Sequence, residues 1–281
     1  MEIPRFVRGC LSILGVLVFP VGRFLGPLLA HLRTAERYER GLVLVLPGIE
    51  GESCINHGIA QGLADGGVEG AIEIFDWTTG VVLLLFYHLR RWKRNVVQAQ
   101  RLAQRIADYQ NRYPGRPVHL VGHSGGGAIA LLALERLDPD RQVTGAVLLL
   151  PGISPGYDLA PALLHCEQSI WHFRSICDVL FLGLLTTVAG TIDRKHTPSA
   201  GMLGFRFPAR LDPEHGALVR TRFCDMPFRL EMIASFNFAG HFGAANRVFV
   251  AEWVAPLLTR GKTVAAEPVP AACALEQGLA G

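Results

Sequence analysis

The residues best suited to chemistry in this sequence lie in the run Gly122-His123-Ser124-Gly125-Gly126. This G-x-S-x-G pattern is typical of a serine at a sharp turn between a buried strand and a helix, where the glycines let neighbouring elements approach without a Cβ clash. A strand-forming run precedes the turn, and a helical run from Ala128 to Leu137 follows it. The spacing of a phosphate-binding loop is absent, because no lysine follows the glycines. The pattern therefore predicts that Ser124 is a nucleophile.

A serine hydroxyl is a weak nucleophile at neutral pH and needs a histidine base that a carboxylate orients. The expected order along the chain is serine, acid, histidine. His241 lies in a glycine-flanked loop directly before the predicted last helix, so we predict that it is the base. His172 lies inside a predicted strand, where a buried structural role is expected. His196 and His215 are predicted to be surface residues of loops.

Three aspartates compete for the role of the acid. Asp178 follows the predicted strand Ser169 to Arg174, and loops after late strands are where such a carboxylate belongs. Asp158 follows the preceding strand, and its alternative role is to cap the helix that starts at Leu159. Asp193 lies in the long segment that comes next. Position at a strand end favours Asp178, and the other two remain alternatives.

Two backbone amides are predicted to stabilise the oxyanion that forms when the serine attacks a carbonyl group. One is the amide of Gly125, at the start of a helix whose dipole is positive at this end. The loop from Pro47 to Gly51 follows an early apolar strand, and in this kind of site that loop supplies the second donor. The candidate second donors are the amides of Ile49 and Glu50.

Other side chains near the site are predicted to contact the substrate. They are His123 in the turn, and Asp76 and Trp77 in the loop after the second predicted strand. The Glu50 carboxylate would be unfavourable beside an oxyanion unless it points away. We expect it to bind a polar substrate group or to cap the helix that begins near Ser53.

The elements that must position these residues are strands alternating with helices. Apolar runs such as Gln142 to Leu150 lack polar alternation, which predicts strands buried on both faces of a parallel sheet. The ligand crevice of such a sheet lies at the carboxyl ends of its strands. The apolar run Val81 to Leu89 is either a buried helix or an apolar wall beside the acyl group, and we favour the wall. Residues 179–238 are predicted to form a lid-like insertion.

Composition limits the class of protein. The 281 residues are half hydrophobic, which is enough for a sizeable core. The formal charge of +3 is too small to indicate a nucleic-acid partner. The six cysteines show no C-x-x-C pair and no metal-ligand spacing, so neither a metal nor a cofactor is expected.

The N-terminal segment, residues 1–33, is predicted to be a separate hydrophobic unit. Arg5 and Arg8 precede an uncharged run from Gly9 to Gly22, which is short for a spanning helix. The run fits a signal peptide, a signal anchor or a helix at a membrane surface, so we expect a membrane-associated or exported protein. The alternatives are a helix packed on the body and a cytoplasmic location. Residues 34–262 are predicted to form the main domain, and residues 263–281 a disordered tail.

From about Gly41 to Leu258 the chain resembles the α/β-hydrolase superfamily, and its esterase-like or lipase-like bacterial members in particular. The resemblance rests on the elbow around Ser124, the loop after the first strand, Asp178 after a strand, and the glycine-flanked His241. It implies a mostly parallel central sheet flanked by helices, with a lid-like insertion before the histidine. The loop after the first strand departs from lipases, because it lacks an HGG-type sequence.

The resemblance implies a serine hydrolase that cleaves carboxylic esters, small or lipid-like, through an acyl-enzyme on Ser124. Thioesterases and acyltransferases share the same triad and remain alternatives. A non-catalytic, membrane-associated protein that keeps the fold is a further alternative, since fold does not determine function.

Overall fold

A parallel β-sheet forms the centre of the protein. The computed structural model describes residues 3–208 and 213–259, and within them six strands pair in the order β2-β1-β3-β4-β5-β6, every neighbour parallel. The strands are β1 Leu42–Leu46, β2 Ala71–Ile74, β3 Val118–His123, β4 Gly145–Leu149, β5 Ile170–Arg174 and β6 Phe223–Pro227.

The central strands are apolar on both faces because helices cover both sides of the sheet. β1, β3 and β4 are buried along their whole length. Their pairing aligns Leu46 with Gly122 and His123 with Leu149, so the carboxyl ends of β1, β3 and β4 lie side by side. The loops that follow these three strands therefore meet at one edge of the sheet.

Twelve α-helices and several short 3₁₀ or π turns occupy the described residues. The helices are α1 Arg5–Leu17, α2 Ala35–Arg40, α3 Cys54–Asp65, α4 Leu85–Arg90, α5 Trp92–Arg112, α6 Gly125–Leu134, α7 Ala160–Leu164, α8 Thr186–Ala189, α9 Ala200–Leu203, α10 Pro213–Arg222, α11 Arg247–Phe249 and α12 Ala255–Thr259. The 3₁₀ turns are Phe19–Phe24, Gly26–Leu32, Val82–Leu84, Leu230–Ser235 and Gly243–Ala245, and the π turns are Val179–Leu185 and Val250–Val254.

The core has two parts, one on each face of the sheet. On one face the side chains of Leu42, Leu44 and Leu46 pack with helices α5 and α6. On the other face Val43 and Val45 pack with α3 and with the helical segments near the C-terminal end of the described chain. This alternation along β1 follows from the two-residue period of a strand.

This architecture is the α/β-hydrolase fold that the sequence predicts, with two corrections. Residues 179–238 are not one insertion, because β6 and α10 lie within them and β6 pairs with β5 along the edge of the sheet. The predicted last helix, 245–258, is divided into short α and π segments. The predicted tail, 263–281, lies outside the described residues.

The N-terminal segment packs on the body of the domain rather than forming a separate unit. Its polar contacts are specific: Arg5 pairs with Glu252, and Arg8 Nη1 lies 2.8 Å from Asp65 Oδ2. Ser12 Oγ accepts a hydrogen bond from the amide of Arg247 at 3.1 Å. The 3₁₀ turns after α1 bury Leu29 and Leu32 in the core.

Close packing also holds this segment in place. A Cβ on Gly22 would lie 2.0 Å from the backbone nitrogen of Cys54, so the turn fits against the start of α3 only with glycine at this position. The outward side of the segment still exposes large apolar side chains, among them Leu17 and Phe24. Across residues 3–208 and 213–259, none of the helices has both the length and the apolar character required to cross a membrane.

Candidate active site

Ser124 occupies the turn between β3 and α6 in a strained backbone conformation. Its φ is 52° and its ψ is −121°, a region that residues with a Cβ rarely adopt. A Cβ on Gly122 would lie 2.6 Å from the backbone oxygen of Gly126. A Cβ on Gly126 would lie 2.3 Å from the carbonyl oxygen of Leu46. The two glycines are therefore needed for β3, α6 and the end of β1 to pack closely enough to form the turn.

The amide of Gly125 lies at the first turn of α6, where backbone N–H groups have no partner within the helix. The loop after β1 lies directly beside it, since a Cβ on Gly125 would be 3.1 Å from Ile49 Cγ2. The two predicted sources of oxyanion donors are therefore adjacent. The helix dipole adds positive potential at this point.

Asp178 and His241 form a buried pair. His241 Nδ1 lies 2.5 Å from Asp178 Oδ2, and both side chains are almost completely buried. The other carboxylate oxygen of Asp178 accepts the amide of Leu182 at 3.3 Å, which holds the carboxylate at the start of the π turn. Ser175 Oγ donates to the carbonyl oxygen of Ala239 and so ties the loop that carries Asp178 to the loop that carries His241.

The ring of His241 is held by aromatic neighbours. Phe181 stacks on it with centroids 4.6 Å apart, and Phe242 meets it edge-on at 5.0 Å. Within the described residues its Nε2 has no hydrogen-bond partner, so that nitrogen is available to accept a proton. The geometry can therefore orient an imidazole base whose Nδ1–H is bound to a carboxylate.

The two alternative acids have other partners. Asp158 Oδ1 accepts the amide of Ala160 at 3.0 Å, which is the capping role that the sequence suggested for it. Asp193 accepts the amide of Ser154 at 2.9 Å and the hydroxyl of Thr191 at 2.6 Å. Neither aspartate lies beside His241.

Two other downstream histidines, His172 and His196, have partners other than Ser124. His172 is buried in β5, where its Nδ1 lies 2.9 Å from Asp225. His196 is exposed and contacts the carbonyl oxygen of Thr187 through Nδ1. His215 belongs to α10, and its side chain is outside the described part of the structure.

The loop after β1 forms a tight turn, with the amide of Gly51 donating to the Gly48 carbonyl at 3.2 Å. Because the two ends of a trans peptide point in opposite directions, this bond turns the Ile49 N–H outward. Glu50 folds back and accepts the Gly48 amide at 3.2 Å. Burial raises the pKa of the Glu50 carboxyl above its usual value, and a hydrogen bond from its own amide acts in the opposite direction. Since its N–H points outward from the turn, Ile49 is the better second donor.

Glu50 does not cap α3. That helix begins after Ser53, whose amide and hydroxyl both donate to Asn56 Oδ1, at 2.9 and 3.0 Å. The carboxyl group of Glu50 instead lies in the wall of a cavity that also contains Ser124 and His241. Among the described residues that line this cavity, Glu50 carries the acidic side chain.

His88 is a positioning residue that sequence reasoning missed. Its Nε2 accepts the Thr79 amide at 3.0 Å, so Nδ1 carries the proton and donates to the Ile49 carbonyl at 2.8 Å. Burial lowers the pKa of His88, which keeps the ring neutral. The side chain thereby joins the loop after β2 to the oxyanion loop. No spacing in the sequence signals this contact, because the two residues are 39 positions apart.

The three predicted substrate-contacting residues lie outside the cavity wall. Trp77 is completely buried and its indole donates to the Pro47 carbonyl at 2.7 Å. Asp76 accepts the amide of Thr78 in its own loop and the amide of Glu52 in the loop after β1. His123 is buried beneath the site, where its Nε2 lies 3.0 Å from the His241 carbonyl oxygen.

Burial lowers the pKa of His123 to about 3, so the imidazole stays neutral. Substrate contact by Asp76, Trp77 and His123 stays a prediction, and none of the three is among the residues that line the cavity. These residues support the loops from below. They lie at the end of β3 or just after β2, which places them under the cavity rather than in its wall.

The cavity above Ser124 has a volume of about 320 Å³ and is almost entirely apolar. Among the described residues of its wall, four have polar side chains: Ser124, Glu50, Thr186 and His241. The apolar part comes from several elements: Val16, Phe19, Ile49, Ile55, Leu85, Leu89, Phe181, Leu182, Leu185 and Phe242. Within the described residues, no group of three His, Cys, Asp or Glu side chains is arranged to hold a metal ion.

Residues 81–89 and the N-terminal segment both contribute side chains to the cavity wall. The run 81–89 contributes Leu85 and Leu89 to the wall, while Leu83 and Phe86 are exposed. Val16 and Phe19 come from the N-terminal segment, which sequence reasoning had placed outside the site. Only the packing of α1 against α3 brings them there.

Comparison with known proteins gives one family match. Residues 37–176, just under half of the chain, match the family described as serine aminopeptidase, S33. A search of curated proteins finds no match. Among solved structures, a Mycobacterium tuberculosis puromycin-hydrolyzing peptidase is similar at 12% sequence identity, with a TM-score of 0.41. The similarity covers 75% of this chain and 33% of that chain, so this chain spans about a third of that protein.

Proposed function

We propose that this chain is a serine hydrolase of the α/β-hydrolase superfamily that cleaves carboxylic esters with an apolar acyl group. The observation that carries the proposal is the position of Ser124 and the Asp178–His241 pair at the wall of an apolar cavity. Apart from the groups that serve the chemistry, that wall offers the substrate mainly hydrocarbon contact. Such a site binds an acyl chain by burial of apolar surface.

In the proposed acylation step, Ser124 Oγ attacks the ester carbonyl carbon while His241 Nε2 takes the hydroxyl proton. Asp178 stabilises the imidazolium through Nδ1–H. The negative charge on the carbonyl oxygen is held by the amides of Gly125 and Ile49. Collapse of the tetrahedral intermediate breaks the bond to the alcohol oxygen, which receives the proton from His241.

In the proposed deacylation step, His241 removes a proton from a water molecule that attacks the acyl-enzyme. The same two amides hold the second oxyanion. Release of Ser124 as the leaving group, protonated by His241, regenerates the free enzyme and the carboxylic acid. A thiol ester would follow the same path, and an acyltransferase would use an alcohol in place of water.

A second candidate is an aminopeptidase. The family match describes serine aminopeptidases, and the Glu50 carboxyl lies in the cavity wall beside Ser124 and His241. A carboxylate in that position is suited to bind the α-ammonium group of a peptide substrate. The same triad would then attack the first peptide bond.

The proposal includes contact with a membrane surface through the N-terminal segment. The exposed apolar side chains of this segment, including Leu17 and Phe24, support an interfacial position rather than a spanning one. A lipid ester substrate would be consistent with such a position.

Labelling with a fluorophosphonate probe tests the class of enzyme. We expect labelling of the wild type and none of Ser124→Ala, with unchanged thermal stability as the control for folding. Nitrophenyl esters of increasing acyl length, compared with aminoacyl nitroanilides, then separate the two candidates. Faster hydrolysis of medium-chain esters supports the esterase proposal. Preference for aminoacyl substrates, abolished in Glu50→Gln, would favour the aminopeptidase.

A further inference from the structure

A second cavity, about 380 Å³ in volume, lies at the ends of α4 and α8 and is lined by cationic side chains. Its wall contains Arg90, Arg194 and His196, together with Ala189, Gly190 and Thr191. Arg90 Nε donates to the Ala189 carbonyl at 3.3 Å, which fixes the guanidinium at the end of α8. His196 Nδ1 lies 3.1 Å from the Thr187 carbonyl oxygen, so Nδ1 donates to that oxygen. The Nε2 atom of the same ring does not take part in this bond.

The arginines of this cavity form no ion pair with the acids of the described residues. Within the described residues, no carboxylate lies at ion-pair distance from Arg90, Arg194 or Lys195. The nearest acid in sequence, Asp193, is occupied by Ser154 and Thr191. The exposed cations Arg91 and Lys93 follow Arg90 along the chain and extend the positive region. The cavity is therefore suited to an anion such as a phosphate.

Exposed apolar side chains lie on the elements that carry this cationic cavity. Leu83 is 93% exposed and Phe86 54% exposed, on the turn and helix that end at Arg90. Leu184 and Val188, on the π turn and α8, are 58% and 65% exposed. We call the surface formed by residues 83–90 and 180–196 the α4/α8 face. α4 and α8 pack against each other, so the exposed apolar side chains of these elements belong to one region of the surface, and exposed apolar surface of this kind marks an interaction site in soluble proteins.

The inner sides of the same elements form part of the active-site cavity. Leu85 and Leu89 of α4, and Phe181 and Leu185 of the π turn, line that cavity. The α4/α8 face is therefore the outer side of one wall of the candidate active site. A molecule bound to this face lies within one helix thickness of the substrate.

We propose that the α4/α8 face docks on an anionic lipid surface, with the cavity of Arg90, Arg194 and His196 holding a lipid phosphate. Charge complementarity selects this occupant. The unpaired cations match the phosphates of a bilayer surface. The exposed leucine and phenylalanine side chains on the same face match its acyl region. The inference rests on the proposed ester hydrolysis, because docking on the membrane would bring a lipid ester from that surface to the cavity.

Vesicle co-sedimentation of the full chain tests the inference. The probes are phosphatidylcholine vesicles with and without phosphatidylglycerol, and Ser124→Ala is used so that no lipid is hydrolysed. We expect the partition coefficient to be roughly tenfold higher for the anionic vesicles, and to fall as salt is added. Equal partition to both kinds of vesicle, or no binding to either, would overturn the proposal.

Matched variants locate the contact. Leu83→Ser should lower the partition to anionic vesicles roughly fivefold, whereas Leu164→Ser, at an exposed leucine of α7 near the opposite end of the sheet, should not. Arg90→Gln with Arg194→Gln should lower it roughly tenfold, and Arg112→Gln with Arg116→Gln, before the amino end of β3, should have little effect. Equal losses in the control variants would overturn the proposal.

Two further measurements separate the competing explanations. If Leu17→Ser with Phe24→Ser removes binding and Leu83→Ser does not, the lipid contact lies on the N-terminal segment and the inference is overturned. A dimer in solution that Leu83→Ser dissociates would show instead that a second copy covers this face.

Hydrolysis of a short soluble nitrophenyl ester by each α4/α8 variant, carrying Ser124, should stay within about twofold of wild type. Vesicle binding without any ester hydrolysis would reject the proposed function and leave this inference standing.

Discussion

The floor and the wall of the candidate active-site cavity are built in opposite ways. The floor, with Ser124, Gly125 and Ile49, stands on the ends of β1 and β3, where neighbouring backbones leave no room for a single added methyl group. The wall comes from elements outside the sheet: the N-terminal segment, α4 and the π turn that begins at Val179. Several side chains on the outer sides of these elements are exposed.

This difference separates the chemistry from the choice of substrate. A nucleophile and its oxyanion donors must be held to within a fraction of an ångström, and only packed strand ends provide that precision. Apolar wall residues act through the volume and surface they present, so they tolerate exchange for other apolar side chains. Changes to the floor should therefore abolish activity or stability, whereas changes to the wall should shift preference among substrates.

The largest effect is expected at the carboxylate behind the floor. Asp178→Asn should lower kcat by roughly 10²- to 10⁴-fold with little change in KM, because it impairs the orientation and charge of His241 rather than binding. Added to Ser124→Ala, it should cause no further loss. Steady-state kinetics on a nitrophenyl ester measure both changes.

Asp158→Asn is the matched control for this change, because Asp158 caps α7 and lies away from His241. It should leave kcat near the wild-type value. A large loss of kcat in Asp158→Asn or Asp193→Asn, with Asp178→Asn active, would move the acid to another loop.

The second effect concerns the packing of the floor. Gly126→Ala places a Cβ 2.3 Å from the Leu46 carbonyl oxygen and 2.4 Å from that of Pro47, both backbone atoms that cannot turn aside. We expect a loss of about 3 kcal/mol in the free energy of unfolding, measured by urea denaturation. Gly156→Ala is the control, since no atom lies within 4 Å of its added Cβ. If both variants are equally stable, the turn is less constrained than its geometry indicates.

The third effect tests the wall. Val16→Trp fills part of the cavity from the N-terminal segment, so kcat/KM for long-chain nitrophenyl esters should fall roughly tenfold while that for the acetyl ester stays near wild type. Val18→Trp, two residues further on and exposed, is the control and should change neither value. Equal losses for short and long esters would mean that Val16 affects the floor as well.

The smallest effect is expected at Glu50, where the floor meets the wall. Burial raises its pKa in the folded state, so its contribution to stability is fully present below the unfolded-state pKa of about 4.3 and is lost as pH rises through the higher folded-state pKa. Glu50→Gln does not titrate, so its melting temperature relative to wild type should increase from pH 4 to pH 8. Differential scanning calorimetry across that range measures the change, and a constant difference would contradict it.

Local sequence patterns were sufficient to predict most of the sheet and the turn at Ser124. Apolar runs identified β1, β3 and β4, because strands buried on both faces need no polar alternation. Polar and apolar residues mix in β6, whose sequence is FCDMP, so it carries no such signal and was assigned to an insertion. Its place at the edge of the sheet depends on pairing with β5, which is a long-range contact.

The N-terminal segment shows where hydropathy alone misleads. An apolar helix of this length fits both a lipid interface and a protein surface, since burial in either removes hydrocarbon from water. The structure shows that one side of this segment packs on the protein body, where Arg5 pairs with Glu252 and Arg8 with Asp65, both distant along the chain. Those same contacts bring Val16 and Phe19 into the cavity wall.

The sequence by itself determined the strand–turn–helix around Ser124, the order of serine, acid and histidine, and the parallel sheet. Each of these depends on neighbouring residues or on a simple period, so a short stretch of sequence carries the information. Only the tertiary structure decided that Asp178 rather than Asp158 lies 2.5 Å from His241, that His88 holds the oxyanion loop, and which side chains enclose the substrate. The Asp178–His241 and His88–Ile49 contacts join residues 63 and 39 positions apart, and the cavity wall extends from Val16 to Phe242, so only packing of the whole chain determines these relations.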